Sequence, residues 1–251
     1  MEGTTTSLVV VNLRKGGMPV ILDVLDSHGR AVLETIGSCP WARDYYLAGG
    51  TGLALHLGHR KSYDLDFFSR QPTEKLPDTY LIDKVMETFG TKRARISLRQ
   101  SDQMHWLIDG TKVRFIAYPF TLMYPLAESC GVALADAREI ALMKAYALGR
   151  RATARDYIDL YFLLRSGTIT LAELVAGATK KFILNSEYLF STRLFLSQLV
   201  YTDDVEGKST PAQLVLGEPL PIQEVESYLR SVVQKYVRTE LGGFSEEGQG
   251  L

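Results

Sequence analysis

The chain has 251 residues, 46% of them hydrophobic, and 28 lysines and arginines nearly cancel 29 aspartates and glutamates to leave a formal net charge of −1. A chain this long removes roughly 70–75% of its extended surface from water on folding, enough for one large domain or two small ones. Near-neutrality excludes a global attraction to polyanions or membrane surfaces, so any affinity for nucleic acid has to come from local clusters of charge.

Residues 18–37 (MPVILDVLDSHGRAVLETIG) carry apolar positions at helical spacing and predict a helix, with a strand following at DYYLAG. A short helix is expected from Thr51 to about Leu57, with Gly58 as its C-cap and a polar loop over His59–Ser62. YDLDFFS then reads as a strand that puts Asp64, Asp66 and Phe68 on one face and Leu65 and Phe67 on the other. Residues 78–90 predict a helix, and RISLRQ, MHWLID and KVRFIAYPF predict three strands joined by short turns, DGTK being the clearest. Asp136 and Glu139 form a D-x-x-E pattern close to a capping box at the start of EIALMKAYALGR, which carries Lys144; ARDYIDLYFLL is a second helix with Asp156 and Asp159. From about residue 166 the segments LAELVAGATKKFIL, EYLFSTRLFLSQLVY and IQEVESYLRSVVQKYVRTEL read as helical, with a long loop, TDDVEGKSTPAQLVLGEPLP, between the last two and a frayed end at GGFSEEGQGL. The division expected is a mixed α+β core over residues 1–165 and a helical region over 166–251.

Carboxylates at alternate positions of a strand point from one face and repel unless a cation lies between them. Asp64 and Asp66 sit this way among apolar neighbours. Just before them Gly49-Gly50-Thr51 makes a glycine turn into a helix N-terminus, where unpaired amides and the helix dipole favour phosphate oxygens. Two hard oxygen ligands beside such a turn suit magnesium, which takes one or two protein carboxylates together with substrate phosphates. The missing cation is therefore read as magnesium, or manganese, arriving with a nucleoside triphosphate. The ordinary alternatives are a structural glycine turn, a Lys144 that snorkels, and an Asp156 paired with Arg155 or Arg151. Asp159 reads as a structural cap or hydrogen-bond acceptor.

YLAGGTGLALHLGHRKSYDLDFF, KVRFIAYPF, REIALMKAYALGRR and RDYIDLYFLL resemble, in order from about residue 20 to about residue 165, the AbiEii/AbiGii toxin family of DNA polymerase β-like nucleotidyltransferases. The resemblance implies a polymerase-β-like core, a small mixed sheet flanked by helices, with a C-terminal helical domain. It implies that Gly50 and Thr51, with Gly49, contact the nucleotide phosphates, that Asp64 and Asp66 bind the metal, and that Lys144 contacts the triphosphate. Asp156 would orient Lys144 or take part in proton transfer, and His59 and Arg60 could reach nucleotide or acceptor. One departure is visible: the third carboxylate that completes such sites belongs on a neighbouring strand, where this chain has Arg114. An arginine there would repel a second metal or bind phosphate, and Asp109 is the nearest substitute acid.

The activity implied is transfer of a nucleoside monophosphate to a hydroxyl, of RNA such as a tRNA 3′ end, by the toxin of a toxin–antitoxin or abortive-infection pair with a cognate antitoxin. A small-molecule or protein acceptor, or a nucleotide-binding module with weak catalysis, are the alternatives. His59-Arg60-Lys61, Lys92-Arg93-Ala94-Arg95, Arg150-Arg151 and Lys180-Lys181 are the basic clusters that could hold RNA phosphates. Cys39 and Cys130 lack any CxxC or Cys/His spacing and read as buried thiols in a reducing, cytoplasmic setting; His28, His56, His59 and His105 show no zinc spacing. No apolar run approaches the ~18 residues of a membrane span and no secretory signal is seen, so no membrane partner is expected.

Overall fold

The computed structural model describes residues 10–11, 20–150, 153–202 and 215–242. Arg151, residues 203–214 of the expected long loop and residues 243–251 of the expected frayed end lie outside them. The chain separates into two compact units, Met1–Ile140 and Ala141–Leu251, with the cut inside a helix, so it does not coincide with the boundary expected at 165/166.

In the first unit the elements are β1 (Val10–Val11), β2 (Val20–Ile21), α1 (Ser27–Gly37), β3 (Tyr45–Ala48), α2 (Gly49–Leu57), β4 (Asp64–Ser69) and α3 (Asp78–Phe89). Strands β5 (Ala94–Arg99), β6 (Gln103–Ile108), β7 (Thr111–Ile116), β8 (Ala127–Ser129) and β9 (Val132–Leu134) follow. The helix expected over 18–37 begins only at Ser27, because Asp26 caps it by accepting from Gly29 N at 2.7 Å, and the preceding residues form β2 and a 3₁₀ turn. Seven strands make one mixed sheet in the order β5-β6-β7-β4-β3-β9-β8, in which β4 runs parallel to β7 and β3 parallel to β9. The β8–β9 hairpin was not foreseen: its three-residue strands are too short to show alternation.

Period-two alternation sorts the sheet into two faces. Leu65 and Phe67 of β4, Val113 and Phe115 of β7, and Met104, Trp106 and Ile108 of β6 are fully buried. Phe115 is the hub, with ring centroids of Tyr45, Phe67 and Trp41 at 5.1, 5.4 and 5.9 Å, and α1 packs over β4 and β7. On the opposite face Phe68 of β4 is covered by Tyr46 and Tyr118, with centroids at 5.8 and 5.2 Å, whereas Asp64 and Asp66 are only half-buried. One end of that face thus carries packed aromatic rings and the other the acids.

The second unit holds most of α4 (Ala137–Leu148), then α5 (Ala154–Arg165), α6 (Leu171–Lys181), β10 (Ile183–Leu184), β11 (Glu187–Tyr188), α7 (Thr192–Val200) and α8 (Ile222–Tyr236). Two segments expected to be helical throughout instead give up residues to the β10–β11 hairpin, whose turn residues Asn185 and Ser186 both have positive φ, 50° and 66°. Helix α5 is buried nearly all round, while α8 buries the single stripe Val225, Leu229 and Val233. Tyr157 on α5 donates to the carbonyls of Gln198 and Tyr201, at 2.7 and 2.9 Å, and burial first, then Asp156, pushes its phenol up to about 12.

The expected capping box at Asp136 does not form. Asp136 accepts from Arg138 N at 2.8 Å, but Glu139 is fully buried and accepts from the amides of Met123 and Tyr124 at 2.9 and 3.1 Å, fastening the chain after β7 to α4. Cys130 is buried as expected but Cys39 is partly exposed. Truncating the hub, Phe115→Ala, should lower unfolding free energy by about 3–5 kcal/mol, read as a lower denaturation midpoint at unchanged m-value.

Candidate active site

The glycine pair is explained by what stands where side chains would be. Helix α2 starts at Gly49, two residues before the expected Thr51, and Gly49 has φ +63°, a left-handed backbone that L side chains rarely adopt. A Cβ there would also collide with the Asp66 carboxylate, and a Cβ at Gly50 would collide with the Arg60 guanidinium. Ala48 is the residue paired with Asp66 across β3 and β4, so the small Ala48-Gly49-Gly50 run lets the first turn of α2 close onto the acid. No side chain caps that turn.

Thr51 is 1% exposed, and its hydroxyl donates to the Asp64 carbonyl and lies 2.7 Å from Ser62 Oγ, pinning α2 to the start of β4. That hydroxyl is therefore engaged in the fold. His59 and Arg60 are buried, at 4% and 2% exposure, with Arg60 Nη1 donating to the Lys61 carbonyl at 2.9 Å. The segment is therefore not the exposed basic face that its sequence suggests: Arg60 lies beneath the glycine turn.

Asp64 and Asp66 share a face of β4 as expected, and the structure supplies a cation for them that sequence reasoning did not choose. Parallel pairing sets Asp66 opposite Arg114 of β7, whose Nε lies 2.6 Å from Asp66 Oδ1 and Nη2 3.2 Å from Asp66 Oδ2. The same Nη2 is 3.4 Å from Asp64 Oδ2, so one guanidinium spans both acids. His105 of β6 pairs with Arg114 on its other side; burial first, then Arg114, holds its imidazole below the usual range against the pull of Asp66. Asp109 does not act as the substitute acid. It sits in the β6–β7 turn at φ 47°, held by Arg93 Nη2 at 2.6 Å.

Among the described residues no three His, Cys, Asp or Glu side chains come together as a metal-holding group. Asp64 and Asp66 remain as a two-carboxylate donor set, which fits one magnesium arriving with a triphosphate and does not fit two ions.

In the second unit Lys144 on α4 donates to Asp156 Oδ1 at 2.7 Å and lies 2.7 Å from Asp159 Oδ2, with side-chain exposures of 11%, 5% and 0%. Asp156 pairs with Lys144 and not with its neighbour Arg155, the alternative partner Arg151 lying outside the described residues, and Thr153 donates to its other oxygen at 2.7 Å. Burial alone would raise the Asp156 carboxyl, but Lys144 and Thr153 hold it below the ordinary carboxylate range. Asp159, expected as a structural acceptor, is a full member of this group; the i, i+3 spacing on α5 was its signal.

A model of the nucleotidyl transferase AbiEii toxin family, of type IV toxin–antitoxin systems, matches residues 31–204. The chain belongs to that family. It is a nucleotidyltransferase, and membership implies a nucleoside triphosphate substrate and a cognate antitoxin. An uncharacterised protein of Aquifex aeolicus (strain VF5) is 32% identical over 220 residues, spanning 85% of this chain and 98% of its own. MenT4, a nucleotidyltransferase toxin of Mycobacterium tuberculosis H37Rv, aligns with TM-score 0.53 at 18% identity over 83% of this chain and 84% of its own. A candidate nucleotidyltransferase of H. pylori aligns with TM-score 0.51 at 17% identity over 87% and 95%. Those two likenesses place the mixed sheet and its helices in the polymerase-β-like fold. Among the described residues no helix is long and apolar enough to cross a membrane.

Removing Lys144 leaves two buried carboxylates without their ammonium, which should cost about 3–5 kcal/mol. In Lys144→Met burial acts on the Asp156 carboxyl without the ammonium, so its folded-state pKa rises above the unfolded value and stability falls as pH rises through that range. Thermal melts from pH 5 to pH 8 should show the deficit widening with pH, whereas wild type, whose Asp156 is held low, loses this contribution only in acid near the ordinary aspartate range.

Proposed function

We propose that this AbiEii-family enzyme moves a nucleoside monophosphate from a triphosphate to a hydroxyl of RNA, a tRNA 3′ end being the acceptor class, in the cytoplasm and with magnesium or manganese. The observation that carries the reading is the approach of the first turn of α2 to Asp66, so close that Gly49 has no room for a Cβ. It brings uncapped amides and the positive end of the α2 dipole against Asp66, with the buried Arg60 beneath the next residue, Gly50.

The amides of Gly50 and Thr51, backed by Arg60, take the phosphate oxygens. Asp64 and Asp66 hold the divalent ion, which when bound supplies Lewis-acid charge at the phosphoryl group. The acceptor hydroxyl displaces pyrophosphate from the α-phosphorus in line, its proton passing to solvent or a nearby base. In the second unit Lys144, oriented by Asp156 and Asp159, is a point charge of the kind that suits a phosphate. Exposed Lys92 and Arg95 in the first unit and Arg150 and Lys180 in the second offer local attraction for an RNA backbone. Lys181 is buried and Arg93 is engaged by Asp109, so neither belongs to that surface.

Incubation with α-labelled nucleoside triphosphates and total tRNA should put label on RNA. Asp64→Ala and Asp66→Ala should each lower transfer by at least about a hundredfold, since changes one shell further out already reduce metal affinity or activity by 10–100-fold. Label appearing only on proteins or small hydroxylated acceptors would replace the RNA assignment, and full transfer by Asp66→Ala would overturn the site.

A further inference from the structure

Arg114 occupies the place where a third carboxylate would complete a two-metal site, and it is in contact with both remaining acids. Arginine carries a permanent charge in proteins. A divalent ion entering between Asp64 and Asp66 therefore has to compete with it. All three side chains are partly solvated, Arg114 and Asp64 at 26% and Asp66 at 14%, so exchange needs no opening of the core. The planar fork that matches a carboxylate also matches a phosphate.

We propose that Arg114 is the resident counter-cation of the Asp64–Asp66 pair, displaced by the divalent ion and then turned to the phosphates of the bound nucleotide. This rests on the acid pair being the metal site of the proposed transferase. A site closed by its own arginine most of the time shows a metal affinity lowered by the fraction of time it is open. Removing the arginine removes that factor.

Manganese titration by calorimetry, without nucleotide, tests the first half. Arg114→Gln should bind manganese at least about tenfold more tightly than wild type, and should melt at a lower temperature without metal but recover when manganese is added. A non-hydrolysable triphosphate titrated at saturating manganese tests the second half: Arg114→Gln should bind it about tenfold more weakly, the loss expected when a charge-assisted contact to phosphate goes. Arg114→Lys keeps the charge but cannot span both acids, so it should gain metal affinity and lose part of the triphosphate grip; it carries the test if the glutamine variant does not fold. Manganese affinity unchanged in both variants would overturn the displacement, and unchanged triphosphate affinity would overturn the turn to phosphate. Neither readout uses catalysis, so a transferase that labels no acceptor while manganese and Arg114 still compete would sink the proposed reaction and leave this inference standing.

Discussion

Two like charges at alternate positions of one strand stand about 6–7 Å apart and repel by ~2–3 kcal/mol at an effective dielectric constant near 20. How that repulsion is met organises the accessible face of the sheet. The parallel register of β4 and β7 decides it, because the residue brought opposite Asp66 is Arg114 and no acid. The antiparallel register of β3 and β4 sets Ala48 on the other flank and turns the chain at Gly49, where the backbone reaches φ +63° and α2 begins against the carboxylate. A slip of one residue in either pairing would carry both acids to the face packed by Phe67 and Phe115. The hydrophobic pattern of β4, β6 and β7 thus holds the chemistry in place: Leu65, Phe67, Val113, Phe115 and Trp106 bury one face and so fix what stands on the other.

The turn itself is dense with charge. Arg60 fills the space that a side chain at Gly50 would take, and it does so at the end of α2 where the helix dipole is already positive. A guanidinium beside a positive helix end is unfavourable by itself, so this end of α2 is suited to an anion, whereas the strand it leans on carries the acids. The Thr51 hydroxyl stitches the two together through Ser62 Oγ and the Asp64 carbonyl. The glycine turn, the buried arginine of the α2–β4 loop and the acids are therefore neighbours within one strand–turn–helix–loop–strand segment.

Much of this was legible in the residues. The glycine pair, the D-x-D strand and the alternation in MHWLID and KVRFIAYPF are local signals, and the elements they mark lie where expected. What failed was what depends on partners distant in sequence. Arg60 looks like surface charge until the α2 turn covers it; Glu139 looks like a cap until the amides of Met123 and Tyr124 claim it. The β8–β9 and β10–β11 hairpins are too short for periodicity, and their positive-φ turns at Cys130-Gly131 and Asn185-Ser186 carry only part of the usual glycine and asparagine signature. In the sequence Arg114 reads as a charge that repels a second metal or binds phosphate. That the same side chain answers the repulsion of the acids required the register, which no sequence window displays.

Charge arithmetic shows why such an arginine is compatible with phosphoryl transfer. A third carboxylate with a second divalent ion adds one net positive charge to a site, −1 and +2. An arginine in that place adds the same single charge without a metal. Asp64, Asp66, Arg60 and Arg114 sum to zero, and one magnesium with a fully ionised triphosphate brings the total to −2. Three carboxylates, two ions and the same triphosphate give −3 before any basic side chain is counted. In the reaction we propose, the arginine would keep the charge beside the departing pyrophosphate while giving up the second ion's ability to lower the pKa of the attacking hydroxyl. Such a site would suit an acceptor hydroxyl activated chiefly by position, with the rate resting on orientation and on the fixed dipoles of α2.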